Sequence, residues 1–212
     1  MIYEVLAPEK LAQRYNIAPT QQIPIVREST EGGRYLSSVR WGLVPHWAKD
    51  LSIGNKLINA RAETVHEKPA FRHSIKSQRC IIPASGYFEW CTAGNSKTPY
   101  YITTKDASPF SLAGIWESWS APDGNSIESC AILTTSSNSL MAMIHDRMPV
   151  ILHQGEFNRW LDPADKDSLH FQNFYQPFPS ELMTSWPVAK IVNSPAHNSE
   201  ECIRPVEPPL FA

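Results

Sequence analysis

The sequence has no apolar run approaching the roughly 20 residues needed to cross a bilayer as a helix. It has no CxxC and no Cys/His pairing at zinc spacing, which excludes the common structural zinc motifs. It has no internal repeat, no low-complexity tract and no long linker, so an extended or linker-built protein is excluded. Charge is sparse, at 19% of residues with a net value of −2, which argues against a strongly basic nucleic-acid binder. The opening stretch MIYEVLAPEKLAQRY lacks a basic start followed by an apolar block. No secretory signal is therefore expected, and the expected location is cytoplasmic. No metal or organic cofactor is expected either.

What is present is 212 residues, 42% of them hydrophobic. That is a globular composition, sufficient for one sizeable core, and one domain over 1–212 is expected. The cysteines Cys80, Cys91, Cys130 and Cys202 read as free thiols packed as small hydrophobes. Charge is unevenly spread. Residues 1–106 hold 14 Lys and Arg against 9 Asp and Glu, whereas residues 107–212 hold 5 against 12. A positive first half can offer a local phosphate-binding face, although the two halves can equally pair with each other.

Alternating apolar and polar residues predict strands over 23–27, 35–41, 80–90, 100–104, 111–116, 128–135 and 148–152. Turn signals separate them at Glu31-Gly32-Gly33, Ala93-Gly94-Asn95 and Pro122-Asp123-Gly124. Hairpin loops are expected at 91–99 and 121–126. Short helices are expected at 8–15, 68–74, 137–144 and 155–161. The fold class is therefore α+β: one compact unit dominated by an antiparallel, barrel-like β-sheet with a few short helices.

Several polar positions carry candidate chemistry. In an extended strand Tyr87, Glu89 and Cys91 share one face, and Phe88 and Trp90 the other. A carboxylate set among aromatics is costly to bury in charged form, so Glu89 is a candidate general acid or base. A structural ion pair with Arg61 or Arg147 is the alternative. His145 follows a Met-rich apolar stretch; it can carry protons in the neutral range or cap helix carbonyls. Asn59 and Arg61 fall on one face of an extended 57–63 segment, an amide beside a guanidinium fork suited to phosphate and sugar. Trp47 is a candidate stacking platform for a single-stranded base, whereas Trp41 reads as core. The basic run from Phe71 to Arg79 is either a phosphate track or a solvated loop.

Taken in order, YNIAPT, RWGLVPHW, LINARAET, RCIIPASGYFEW, PYYI, LAGIWE, AILTT, IHDRMPVIL and PVAKIVNS…IRPV resemble the SOS response-associated peptidase (SRAP) family from about Tyr15 to Val206. The resemblance implies a monomeric protein that binds single-stranded DNA, or junctions with adjoining duplex, and recognises abasic sites. In that family a cysteine after the initiator Met captures the ring-opened sugar aldehyde as a thiazolidine. The family name reflects a proposed peptidase activity, removal of the protein's own N-terminal residues. The implied catalytic positions are Asn59, which holds nucleophile and sugar, Glu89, which manages protons, and His145, which assists ring opening. Asn16, Trp47, Arg61 and Thr134 match positions lining the DNA channel.

The family usually begins Met-Cys-Gly-Arg, where this chain has Met1-Ile2-Tyr3-Glu4, and no cysteine precedes Cys80. Ile2 is too bulky for efficient removal of Met1, so a 1,2-aminothiol is lacking. A free α-amine still forms a reversible imine with an aldehyde. The retained Asn59, Glu89 and His145 favour a shortened version of an active protein over a variant that binds without crosslinking. A third reading is a thiol hydrolase using Cys91 or Cys80 with His145.

Overall fold

The computed structural model describes residues 3–5, 11–29, 31–94 and 96–206, with side chains except at 168 and 169. Its centre is a closed sheet of five strands. The antiparallel ladder runs from β2 (Arg34–Trp41) through β1 (Gln22–Glu28), β4 (Arg79–Ala84) and β7 (Phe110–Ser120) to β8 (Ser126–Ser136). A short parallel pairing of Arg40 with Ser129 and Trp41 with Cys130 joins β8 back to β2. Closure removes the free edges that a flat sheet would expose. The barrel-like antiparallel architecture expected from the sequence is thus present.

Strand alternation divides the barrel residues into two apolar clusters. Ile25, Val39, Cys80, Leu112 and Cys130 lie in one, drawing on all five strands. Val26, Ile81, Ala113, Ile115, Ala131 and Leu133 point the other way. That second face is covered by α1 (Ser74–Ser77) and α2 (Phe157–Leu161), with Trp160 and Phe171 fully buried. No helix among the described residues is long and apolar enough to cross a membrane.

β8 carries the site's framework. Its residues Ile132, Leu133 and Thr134 pair in parallel with Asn59, Ala60 and Arg61 of β3 (Asn59–Arg61). Further along, Thr134, Thr135 and Ser136 pair with Pro149, Met148 and Arg147 of β9 (Arg147–Pro149). A separate antiparallel sheet orders β10 (Met183–Pro187), β6 (Ser96–Thr104) and β5 (Tyr87–Ala93).

Several expectations are corrected. The single strand expected over 80–90 is two strands in different sheets, broken at Ser85-Gly86. Gly86 lies flat against the Tyr101 ring and the Ile102 carbonyl, where no side chain fits. The hairpin loop expected over 91–99 is mostly strand, since β5 runs to Ala93 and β6 starts at Ser96; Asn95 lies outside the described residues. The helix expected over 137–144 is only a 3-10 turn at Met141–Met143, and residues 11–15 hold no helix. Positions 8–10 of that last expectation lie outside the described residues. The sequence pattern also missed β10, a strand only five residues long.

Candidate functional site

Three residues of β3 set the first wall. Ala60 is fully buried, so its neighbours Asn59 and Arg61 both project outward. This is the shared face expected from the sequence. Among the described residues the Arg61 guanidinium has no ion-pair or hydrogen-bond partner. It lies near enough to Glu63 to help hold that carboxyl below its ordinary range, after the Arg147 hydrogen bond.

Arg147 binds this corner together. Its guanidinium grips Glu63 with two bonds of 2.7 and 2.8 Å, and Nη2 also donates to the Thr134 carbonyl at 2.5 Å. Its backbone N–H donates to His145 Nδ1 at 3.0 Å. With Nδ1 accepting, the neutral imidazole carries its proton on Nε2. When the ring is protonated, the Asp146 carboxylate at 3.2 Å accepts from Nδ1 instead. The ring is 42% exposed and available to a ligand. Arg61 and Arg147 are balanced here by Glu63 and Asp146, so the phosphate-binding capacity of this corner rests on the Arg61 guanidinium, which no hydrogen bond engages among the described residues.

Glu89 sits on β5 opposite Tyr100 and is half-buried, with Oε1 accepting from the backbone N–H of Trp90 at 3.1 Å. The alternative of an ion pair with Arg147 is excluded, since Arg147 is committed to Glu63. Neighbouring side chains alternate as expected: Tyr87 packs towards Phe110, while Phe88 packs at a tilt on Tyr101. Burial raises the Tyr87 hydroxyl far above the usual phenol range, with the nearby Glu89 charge adding to it. The Cys91 thiol donates to the Met143 carbonyl at 3.5 Å, which docks β5 against the turn leading to His145.

Trp47 is 51% exposed, with its indole N–H directed to the Pro69 carbonyl at 3.4 Å. It borders an open pocket of about 420 Å³ that also includes Lys49, Asp50, Ser52 and Lys56. An exposed ring beside two ammonium groups suits base stacking with phosphate contact. The loop that presents it is held from below. Gly42 adopts φ +123°, and it packs so closely on Gly54 that an added Cβ would come within 2.5 Å of the Gly54 carbonyl. Trp41, read as core, packs there with its indole N–H on the Ile58 carbonyl.

Two expected channel residues are placed as supports. Asn16 is 6% exposed, and its Nδ2 is committed to the carbonyls of Val192, Ser194 and His197. The backbone N–H groups of Tyr15 and Asn16 donate in turn to Asn198 Oδ1. Thr134 is buried and faces Arg147. The basic run from Phe71 to Arg79 is also not one phosphate track. Arg79 is buried, donates to the carbonyls of Trp160, Ile75, Lys76 and Asp162, and is lowered to about 10 by that burial. A thiol hydrolase built on Cys80 is excluded by full burial and a thiol raised well above its usual range. Among the described residues Cys91 forms no hydrogen bond with His145: its thiol donates to the Met143 carbonyl, and His145 Nδ1 accepts from Arg147.

One grouping was not read from the sequence. His46, His73 and Glu117 each place a possible ligand atom within 4.8 Å of the others. Their spacing of 27 and 44 positions carries no local signal, because three separate elements bring them together.

Comparison with known proteins gives a consistent result. The signature of "SOS response associated peptidase (SRAP)" matches residues 3–195. "Abasic site processing protein YoqW" of Bacillus subtilis (strain 168) is 45% identical over 190 residues, covering 89% of this chain and 84% of that protein. "Abasic site processing protein HMCES" of Mus musculus is 31% identical over 239 residues, covering 94% and 67%. A crystal structure of a protein from Bacteroides thetaiotaomicron superposes with a TM-score of 0.80 at 35% identity, covering 89% and 82%.

Proposed function

The chain belongs to the SRAP family, and from that premise we propose that it binds single-stranded DNA at abasic sites, as a monomer built from one domain. The ring-opened deoxyribose aldehyde is received beside Asn59, Glu89 and His145. Relatives carrying the name abasic site processing protein support the ligand class. The observation that carries the reading is the Arg147 corner. The Arg147 guanidinium fixes Glu63 and Thr134 while its backbone N–H orients His145, next to an Arg61 guanidinium with no hydrogen-bond partner among the described residues.

In this arrangement Arg61 holds a phosphate, and Trp47 stacks a neighbouring base. Asn59 offers amide hydrogen bonds to the sugar. His145 and Glu89 exchange protons as an amine attacks the aldehyde carbon. Where the N-terminus presents a 1,2-aminothiol, the amine first adds to the carbonyl and water is lost to give an imine. The thiol then adds to the imine carbon and its proton passes to nitrogen, closing the thiazolidine with net release of one water. Where only an α-amine is present, the sequence stops at the reversible imine.

The test is a form of the chain beginning Met-Cys-Gly-Arg, incubated with single-stranded DNA bearing one abasic site. A denaturation-resistant band is expected with the natural abasic site and not with a tetrahydrofuran analogue, which has no aldehyde. Glu89→Gln and His145→Ala should slow its appearance by about 10²–10⁴-fold. No band with the natural site refutes covalent capture, and unchanged rates in both variants refute the assigned proton carriers.

A further inference from the structure

We infer that His46, His73 and Glu117 form a binding site for one divalent transition-metal ion of the zinc class. The site is distinct from the Arg147 corner. His46 lies in the loop after β2, His73 immediately precedes α1, and Glu117 is on β7. Both imidazoles aim Nδ1 at the same oxygen, Glu117 Oε2, at 3.2 and 3.1 Å. The two rings stand 4.7 Å apart between centroids. Metal–ligand bonds of about 2.0–2.1 Å in a tetrahedron set ligand atoms about 3.3 Å apart. Two of the three edges are therefore already near the required length.

Charge argues the same way. Glu117 is 3% exposed, and among the described residues no Lys or Arg pairs with it. A buried carboxylate without a permanent cation is costly. Its Oε2 instead collects three donors, His46, His73 and the Ser74 hydroxyl at 3.2 Å. The second oxygen, Oε1, receives only the long Ser118 amide contact of 3.3 Å. The carboxylate charge, buried and met by imidazole and hydroxyl groups with no Lys or Arg among the described residues, is what favours positive charge at this point. A divalent ion supplies it by replacing both Nδ1–H bonds, with each neutral ring then carrying its proton on Nε2.

Two imidazoles and a carboxylate suit zinc and its neighbours, cobalt and nickel, rather than magnesium or calcium, which prefer all-oxygen shells. Three protein ligands leave a fourth position for water. The His46 and His73 side chains are 50% and 57% exposed, so that position opens to solvent. Because Trp47 follows His46 directly, an ion here also clips the exposed tryptophan's loop to β7.

The test titrates zinc chloride, and separately cobalt chloride, into the full chain stripped with chelator, without DNA. Calorimetry should give one ion per chain, and cobalt should give the visible d–d absorption of a low-coordinate site. The double variant His46→Ala with His73→Ala should lose at least about 100-fold in affinity. Circular dichroism confirms that it folds, since both side chains lie at the surface. Glu117→Gln, which keeps the shape, should also weaken binding. Absence of uptake by the parent chain overturns the assignment. Equal uptake in the double variant, or loss of uptake only in Cys91→Ser, overturns it too.

Discussion

Replacing Gly86 with alanine should destabilise the protein by about 1–3 kcal/mol, the usual cost of overpacking a filled site. A Cβ at this position would lie 2.4 Å from Tyr101 Cζ, 2.5 Å from Tyr101 Oη and 2.5 Å from the Ile102 carbonyl oxygen. Neither neighbour can yield cheaply. The Tyr101 ring is buried between Phe88 and Trp186, each 5.4 Å away between centroids. Ile102 is backbone within β6, paired with Tyr87. Relief to ordinary contact requires the β4–β5 crossover to move by roughly 1 Å, and Glu89, three residues on, moves with it. For a chain of this size each kcal/mol shifts the melting temperature by about 2–4 °C, so a fall of roughly 2–12 °C is expected. Thermal unfolding followed by near-ultraviolet circular dichroism measures it. Gly155→Ala is the control: nothing lies within 4 Å of its Cβ, so its effect should stay within about 0.5 kcal/mol. Should Gly86→Ala melt together with Gly155→Ala, the steric account of the crossover is wrong.

Two further outcomes follow from groups near the site. Arg147 lowers the Glu63 carboxyl, so the stability this pair adds is present above the ordinary carboxylate range and is lost as pH falls through the lowered value. Acid titration of stability should therefore flatten in Glu63→Gln; the Glu63 side chain is 50% exposed, so the difference at neutral pH should be only about 0.2–1 kcal/mol. Iodoacetamide should label native protein at Cys91 first, because Cys80, Cys130 and Cys202 are fully buried. Burial also holds the Cys80 and Cys130 thiols well above their usual range. Peptide mapping checks the order, and rapid labelling of the three buried thiols would contradict the packing.

Short apolar, β-prone runs separated by turn signals made the barrel strands legible, although both faces of β1, β7 and β8 are apolar and feed two separate clusters. The β4–β5 break falls at Ser85-Gly86, a turn dipeptide that the apolar run on either side outweighed, and the crowding of Gly86 by Tyr101 and the Ile102 carbonyl comes from β6, distant in sequence. The outward pair Asn59 and Arg61 was legible from alternation alone. The role of Arg147 was not. Two of its partners, Glu63 and Thr134, lie on segments that only the β3–β8–β9 pairing brings beside it. Asn16 illustrates the opposite failure. Its position in the motif matched a channel residue, yet burial against the 192–198 segment commits its amide to backbone carbonyls. The same long-range folding turned Arg79 from a surface cation into a buried tie for four carbonyls.

The proposed DNA face is tested most directly by fluorescence anisotropy of a labelled single-stranded oligonucleotide with one central abasic site, measured across a salt series. The plot of log K against log salt should be linear for the parent chain. Arg61→Ala should reduce its slope by about 0.7, the release of one counterion equivalent from a single strand. Trp47→Ala should weaken binding by about 1–3 kcal/mol at every salt concentration while leaving the slope unchanged. Parent-like affinity and slope in both variants would contradict the account.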